Sequence, residues 1–305
     1  MTLTIATRGS PLALWQAHQV QRRLQEVHAG LEVIVSIVRT EGDRVSDRPI
    51  EGLSATGVFT KEVDACLLAG EADAAVHSLK DQLTTLPDGV CLGMVLPRGP
   101  AEDALVSTCG GGVADLAPGA RVATGSVRRR AHLLRARPDL KVVSIRGNVD
   151  TRLRKLDAGE ADALVLARAG LERLGLGDRI TEVIEKSLVL PAVSQGIVGV
   201  TCRDDDDATL RRLRAADDPV THACAVAERA WLRRLGGGCN VPAAAHAVIE
   251  HDRLIMTSRV LDPNGHEAME ADATGDLASA ERIGYGLADD LIDRGAIDLL
   301  RGGAG

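Results

Sequence analysis

The sequence of 305 residues has very few aromatic side chains: one tyrosine, one phenylalanine and two tryptophans. Its hydrophobic cores must therefore be built mainly from alanine, valine, leucine and isoleucine. A nucleic-acid-binding domain normally combines a net basic surface with aromatic rings on which bases stack. Since this chain has few such rings and a formal net charge of -7, we expect no nucleic-acid partner.

The sequence also lacks an apolar run of about 18 residues, the length that a membrane-spanning helix requires. It leads directly into the strand-like residues 4–8, without a basic region followed by an apolar stretch. We therefore expect a soluble, cytoplasmic protein with no membrane contact. The six cysteines include no C-x-x-C pair, which argues against a zinc site or a disulfide framework. We expect reduced thiols and no metal.

Lysine is scarce as well, with 31 arginines against 5 lysines. The planar fork of arginine matches a carboxylate better than the point charge of lysine does. Several arginines fall where predicted strands meet predicted helices, and we interpret them as one pocket for a ligand with many carboxylates. A solvated helix face is the alternative. These residues are Arg128, Arg129, Arg146, Arg152 and Arg173.

Strand and helix patterns alternate in the first half of the chain, which is typical of an α/β fold. Arg8 and Ser10 stand where the strand at residues 3–7 meets a helix, with Ser10 as its cap. Such a helix start can bind an anion, although an ordinary cap beside a solvated arginine fits equally. Lys80 and Asp81 follow the strand at 72–76, where open α/β sheets place ligands. A simple salt bridge is the alternative there.

The second half repeats this pattern. A strand at 121–124 ends with Thr124, and a helix begins after Ser126. Strands predicted at 188–192 and 197–202 flank Gln195, in a turn that we interpret as a hinge. Further segments are a strand at 141–145, a strand at 162–167, a solvated turn at 204–207, a helix at 221–235, strands at 247–249, 253–261 and 267–273, and a helix at 277–294.

Two glycine-containing segments predict loops. Residues 44–57 are polar and aperiodic and precede Phe59, so they fit either a lid or a plain surface loop. Late in the chain, three consecutive glycines precede Cys239. That run predicts a cysteine presented on a loop, whereas a buried cysteine beside a helix end is the common alternative.

Several motifs together resemble the porphobilinogen deaminase, or hydroxymethylbilane synthase, family over essentially the whole chain. Their order and spacing make the resemblance specific. The motifs are IATRGSPLALWQA at 5–17, AVHSLKD at 75–81, SVRR at 126–129, RGNV at 146–149, LPA at 190–192, QG at 195–196 and GGC at 237–239.

The resemblance implies two periplasmic-binding-protein-like α/β domains plus a smaller C-terminal α+β domain. Domain 1 would comprise residues 1–97 with a return segment at 197–214, domain 2 residues 98–196, and the third domain residues 215–305. It also implies a monomeric transferase of tetrapyrrole (haem) biosynthesis. The enzyme would join four porphobilinogen molecules head to tail on a dipyrromethane covalently attached to Cys239, and release hydroxymethylbilane and ammonia.

The family pattern carries over residue by residue. Asp81 is expected to stabilise the cation formed when ammonia leaves the pyrrole and to move protons. Phe59 would belong to the lid. The expected cofactor contacts, besides Cys239, are Lys80, Thr124, Ser126, Arg128, Arg129 and Arg146. The expected substrate contacts are Arg8, Ser10, Arg152, Arg173 and Gln195.

The chain departs from the family pattern at several positions. Residues 54–57 read SATG in place of a lysine-containing GGKG, and Leu83, Gly125 and Ser194 replace a proline, a serine and a glycine. Two other functions remain open from the residues alone. One is a carboxylate-binding module of the same fold, with impaired or no turnover. The other is a hydrolase with Cys239 as nucleophile, whose base would have to be His77 or His222, brought to the cysteine by the fold.

Overall fold

A computed structural model describes residues 2–38, 61–238 and 241–302. The strands are β1 (Thr2–Arg8), β2 (Glu32–Val38), β3 (Ala74–Ser78), β4 (Val90–Val95), β5 (Asp103–Ser107), β6 (Arg121–Ala123), β7 (Lys141–Val143), β8 (Ala163–Ala167), β9 (Glu182–Ile184), β10 (Val198–Arg203), β11 (Ala243–Glu250), β12 (Arg253–Leu261) and β13 (Ala268–Asp276). The helices are α1 (Pro11–Val27), α2 (Lys61–Leu68), α3 (Val127–Ala136), α4 (Val149–Asp157), α5 (Arg168–Arg173), α6 (Asp207–Ala216), α7 (Pro219–Arg234), α8 (Ala280–Asp293) and α9 (Ala296–Leu300).

The chain divides into two compact units, Met1–Gly99 with Ile197–His222 and Pro100–Gly196 with Ala223–Gly305. Unit 1 contains a five-stranded sheet in the order β2-β1-β3-β10-β4. Strand β1 pairs in parallel with β2 and β3, whereas β10 is antiparallel to β3 and β4. Helix α1 packs Ala17, Val20 and Leu24 into the core of this sheet, at the spacing of one helix face.

Unit 2 contains a second five-stranded sheet with the same pattern of directions, in the order β7-β6-β8-β5-β9. Strand β6 is parallel to β7 and β8, and β5 is antiparallel to β8 and β9. The same unit holds the antiparallel sheet β11-β12-β13. Helices α7, α8 and α9 share a core with that third sheet, centred on the fully buried Trp231.

These sheets and the helices packed on them confirm the expected fold class, which is two α/β parts and a smaller C-terminal α+β part. The predicted division into three domains stays a prediction. Among the described residues, no helix combines the length and apolar character that a bilayer crossing requires.

The strand predicted at residues 188–192 is wrong, because that segment forms turns and irregular backbone. Val189 and Leu190 are buried all the same, and a short apolar run does not distinguish a strand from another buried segment. Pro191 also lacks the N–H that strand pairing needs. Two strands of the unit 2 sheet, β5 and β9, lie outside the segments that the sequence predicts as strands. The turn predicted at 204–207 is present at residues 204 and 205, and Asp206 then caps helix α6 by accepting from the Thr209 N–H at 3.0 Å.

A strained turn ends the segment before β10. Ser194 has a φ of 60°, a left-handed conformation that is unfavourable for a residue with a Cβ atom. Its N–H donates to Glu228 Oε2 at 2.5 Å, and Glu228 also accepts from the Ala247 N–H at 2.7 Å. The Ser194 hydroxyl is buried and has no hydrogen-bond partner in the described structure. Serine at this position therefore destabilises the fold twice, through its left-handed backbone conformation and through its unpaired buried hydroxyl.

We expect Ser194→Gly to raise the free energy of unfolding by about 1 kcal/mol, since glycine adopts positive φ without strain. Ser194→Ala is the matched control, because it removes the unpaired hydroxyl and keeps the strain. Urea unfolding monitored by circular dichroism measures both. Equal stability of the glycine and alanine variants would show that the backbone conformation carries no cost.

Candidate active site

The first group of predicted site residues lies at one edge of the sheet in unit 1. Strands β1 and β3 are parallel, so their carboxyl ends reach the same edge. Arg8 ends β1, and Ser10 caps α1 by accepting from the Ala13 N–H at 3.3 Å. Lys80 and Asp81 follow β3. The structure thus brings the elements that carry these four residues together.

A short 3-10 turn, Leu79–Asp81, presents Lys80 and Asp81. Buried Leu79 anchors the turn, and its N–H donates to the Ile197 carbonyl at 3.0 Å. Gln16 on α1 donates to Ser78 Oγ at 2.8 Å and so ties that helix to the end of β3. Lys80 is partly buried and Asp81 is exposed. The carboxylate of Asp81 is therefore available to a ligand at this edge.

The second group lies in unit 2, at the corresponding edge formed by the parallel strands β6, β7 and β8. Thr124 follows β6, and its Oγ1 accepts from the Ser126 N–H at 3.2 Å. Ser126 caps α3 through a 3.4 Å bond from the Arg129 N–H. Both hydroxyls thereby shape the helix start that carries Arg128 and Arg129.

Three other predicted arginines follow the next strands. Arg146 lies beyond β7 and is exposed. Arg152 on α4 donates from Nε to the Gly147 carbonyl at 2.7 Å. Arg173 at the end of α5 donates to the Gly196 carbonyl at 2.6 Å, and burial lowers the pKa of its guanidinium. Arg173 thus holds the turn that contains Gln195.

A buried carboxylate, Asp103, organises the remaining residues. Asp103 is 0% exposed at the start of β5. Its Oδ2 accepts from Arg128 at 2.7 Å, and its Oδ1 accepts from Arg129 at 2.7 Å and from Gln195 at 2.9 Å. The same two arginines donate to the Leu190 and Val165 carbonyls, at 2.6 Å and 3.1 Å. One carboxylate therefore holds three of the predicted site residues.

The charges of this cluster are unequal. Burial by itself would raise the pKa of Asp103, but Arg128 and Arg129 hold it well below its usual range. Burial lowers the pKa of the Arg128 guanidinium, while Asp103 opposes that shift. Burial, with Arg128 nearby, lowers the pKa of His132 to about 3, so that imidazole stays neutral. Two guanidiniums against one carboxylate leave a net positive charge in the interior of unit 2.

No sequence motif predicts Asp103 as a site residue, and the sequence indicates Arg128 and Arg129 only as donors to a ligand. The one signal was a carboxylate at the start of the apolar run Ala104–Leu105–Val106. The structure gives both arginines Asp103 as their partner, and their contact with a cofactor stays a prediction. Phe59 and Cys239 lie outside the described residues, as does the segment predicted as a lid.

Two family models match this chain. The one described as "Porphobilinogen deaminase, dipyromethane cofactor binding domain" matches residues 3–211, and "Porphobilinogen deaminase, C-terminal domain" matches residues 222–293. The chain belongs to the porphobilinogen deaminase family. The first match includes Asp81 and Asp103, and the second includes Cys239.

Relatives named porphobilinogen deaminase align with nearly the whole chain. The protein of Syntrophotalea carbinolica is 44% identical over 98% of this chain and 95% of its own length. That of Roseiflexus castenholzii is 46% identical over 99% of both chains. That of Nitrobacter winogradskyi is 45% identical over 95% of this chain and 93% of its own. The family resemblance predicted from the motifs is thereby confirmed.

We expect Asp103→Asn to lower the free energy of unfolding by about 3–5 kcal/mol, because two buried guanidiniums lose their counter-charge. The control is Asp139→Asn in the same unit. Asp139 pairs with Arg137 at 2.7 Å, and that hydrogen bond lowers the pKa of Asp139 to about 2, but the pair lies at the surface. Its loss should therefore matter much less. Urea unfolding compares the two variants, and equal losses would contradict the role of Asp103.

The Asp103 contribution should also depend on pH with a definite sign. A carboxylate whose pKa is depressed in the folded state stabilises the fold above its unfolded pKa, about 3.9. The stability difference between the unmodified protein and Asp103→Asn should therefore be constant above about pH 5 and shrink as the pH falls below about 4. A difference that grew on acidification would contradict the ionised state.

Proposed function

We propose that this protein is a hydroxymethylbilane synthase. It joins four porphobilinogen molecules head to tail on a dipyrromethane attached to Cys239, with loss of one ammonia at each addition. Water then cleaves the bond between the dipyrromethane and the new chain, which releases the linear tetrapyrrole. Membership of the porphobilinogen deaminase family supports this reaction. The observation that carries the proposal is the exposed carboxylate of Asp81, which follows β3 at the edge shared with Arg8 and Ser10.

The residues fit a ligand made of pyrroles with acetate and propionate groups. Each carboxylate of such a ligand needs charged or polar donors, and arginines stand at the strand ends of both units. The interior of unit 2 adds a net positive charge through Arg128 and Arg129. When bound, the dipyrromethane would supply the nucleophilic pyrrole carbon to which the first unit is joined, and each later unit is joined to the free pyrrole carbon of the unit before it.

Asp81 acts on the incoming porphobilinogen. The carbon–nitrogen bond of its aminomethyl group breaks, and the electron pair leaves with the nitrogen as ammonia. The positive charge that remains is delocalised onto the pyrrole nitrogen, whose N–H donates to the Asp81 carboxylate. A fixed carboxylate at that position stabilises the charge and passes protons to the leaving amine and from the pyrrole carbon after the new bond forms.

The other predicted residues contact cofactor and substrate, and the arginines, Lys80 and the hydroxyl groups among them donate to the carboxylates. Lys80, Thr124, Ser126, Arg128, Arg129 and Arg146 contact the cofactor in this proposal, and Arg8, Ser10, Arg152, Arg173 and Gln195 contact the substrate. Phe59 belongs to the lid. The same proposal includes a monomeric protein in the cytoplasm, where porphobilinogen is its small-molecule partner.

We expect Asp81→Asn to lower kcat by about 10²- to 10⁴-fold, the range of a lost acid–base group. Asp81→Glu keeps the carboxylate and should retain more activity than Asp81→Asn. Asp88→Asn is the control, since Asp88 is an exposed carboxylate of the same unit in the loop before β4. Steady-state kinetics with porphobilinogen measure all three variants. Near-normal turnover of Asp81→Asn would remove Asp81 from the mechanism.

The mass of the purified protein tests the covalent cofactor. We expect an addition equal to two linked pyrroles on the peptide that contains Cys239, and stepwise further additions when porphobilinogen is supplied. Cys239→Ser should lack this mass. Cys109→Ser, which changes an exposed cysteine, should keep it. A Cys239 that stays unmodified in the presence of porphobilinogen would favour a carboxylate-binding module over an enzyme.

A further inference from the structure

Gln82, the residue directly after Asp81, is held inside unit 1. Its side chain is 3% exposed, and its Nε2 lies 3.2 Å and 3.4 Å from the two carboxyl oxygens of Asp64. Asp64 is a buried residue of α2, 4% exposed. Asp81 is therefore exposed, whereas the next residue, Gln82, is buried and hydrogen-bonded to helix α2.

The contact continues into the sheet. Asp64 Oδ1 lies 3.5 Å from Nε2 of His77 on β3, and the same nitrogen lies 3.4 Å from Thr201 Oγ1 on β10. All four side chains are buried. Buried polar groups are costly when they lack hydrogen-bond partners, so these contacts favour one arrangement of the elements that carry them. Here it joins α2, β3 and β10 to the residue after Asp81.

The turn that presents Asp81 is thus anchored on both sides. On one side, Leu79 is buried and bonded to the Ile197 carbonyl at 3.0 Å. On the other side, the Gln82 N–H donates to the Leu79 carbonyl at 3.3 Å, while its side chain binds Asp64. Asp81 lies between these anchors, so its backbone position depends on both of them.

We propose that Asp64 and Gln82 are positioning residues that fix Asp81 for the reaction. This inference rests on the catalytic role proposed above for Asp81. Positioning matters because a displacement of about 1 Å at a reacting group is enough to lower a rate about 100-fold. Neither residue needs to touch the substrate for this effect.

The decisive variant is Gln82→Met, which keeps the length of the side chain and removes its donors. We expect kcat to fall about 10- to 100-fold, with the KM for porphobilinogen changed less than about 3-fold because the arginine donors stay in place. Asp64→Leu should give a similar loss. The double variant should be no worse than either single variant, since both remove the same contact.

Two further variants separate positioning from stability. Asp64→Asn keeps an oxygen that accepts from Gln82 Nε2, so it should recover most of the kcat lost in Asp64→Leu. Val20→Ala destabilises the core of the same unit without touching this network, and its kcat should equal that of the unmodified protein. If Gln82→Met fails to fold, Gln82→Asn, which is one methylene shorter, serves in its place and should lower kcat in the same direction.

A normal kcat in folded Gln82→Met or Gln82→Asn would overturn the inference. A loss of kcat in Val20→Ala as large as that in Gln82→Met would overturn it as well, because stability alone would then explain the effect. Asp81→Asn separates this failure from that of the proposed function. If Asp81→Asn is inactive while Gln82→Met is normal, only the positioning role is wrong, whereas an active Asp81→Asn removes the role proposed for Asp81.

Discussion

The buried ion pairs of Asp103 with Arg128 and Arg129 are the interaction on which unit 2 depends. Two arginines in the first turn of a helix oppose the helix dipole, and both are almost fully buried, at 4% and 6% exposed. Such an arrangement is stable only with a compensating carboxylate. Asp103 supplies it from the neighbouring part of the sheet and at the same time binds the Gln195 amide. Asp103 therefore holds both the start of helix α3 and the turn before β10.

In unit 1 the residue after Asp81 is fixed by the carboxyl group of Asp64 and by contacts that, among the described residues, include no arginine. The sheet of this unit has the same pattern of strand directions as the sheet of unit 2, with three parallel strands and an antiparallel fourth. The parallel strands deliver Arg8 and Asp81 to one edge, and the fourth strand, β10, packs Thr201 beside His77. In both units the predicted site residues follow parallel strands. Each unit also contains a buried carboxyl group that binds one or more neighbouring side chains, Asp64 in unit 1 and Asp103 in unit 2.

Much of the fold was predictable because its signals are local. The strand at β1, the Ser10 cap of α1, and the position of Asp81 after a buried strand each follow from a few neighbouring residues. The contacts of Asp103 were not predictable in this way. Arg128 lies 25 residues away from it and Gln195 lies 92 residues away, so no local pattern relates them. The pairing of Asp64 with Gln82 escaped prediction for the same reason.

Ammonia release, measured against the consumption of porphobilinogen, tests the proposed reaction most directly. Each joining step breaks one carbon–nitrogen bond, so the proposed enzyme should release one ammonia for every porphobilinogen consumed and four for every linear tetrapyrrole formed. A protein that binds porphobilinogen and releases no ammonia would contradict the assignment and would leave a carboxylate-binding module as the function of this fold.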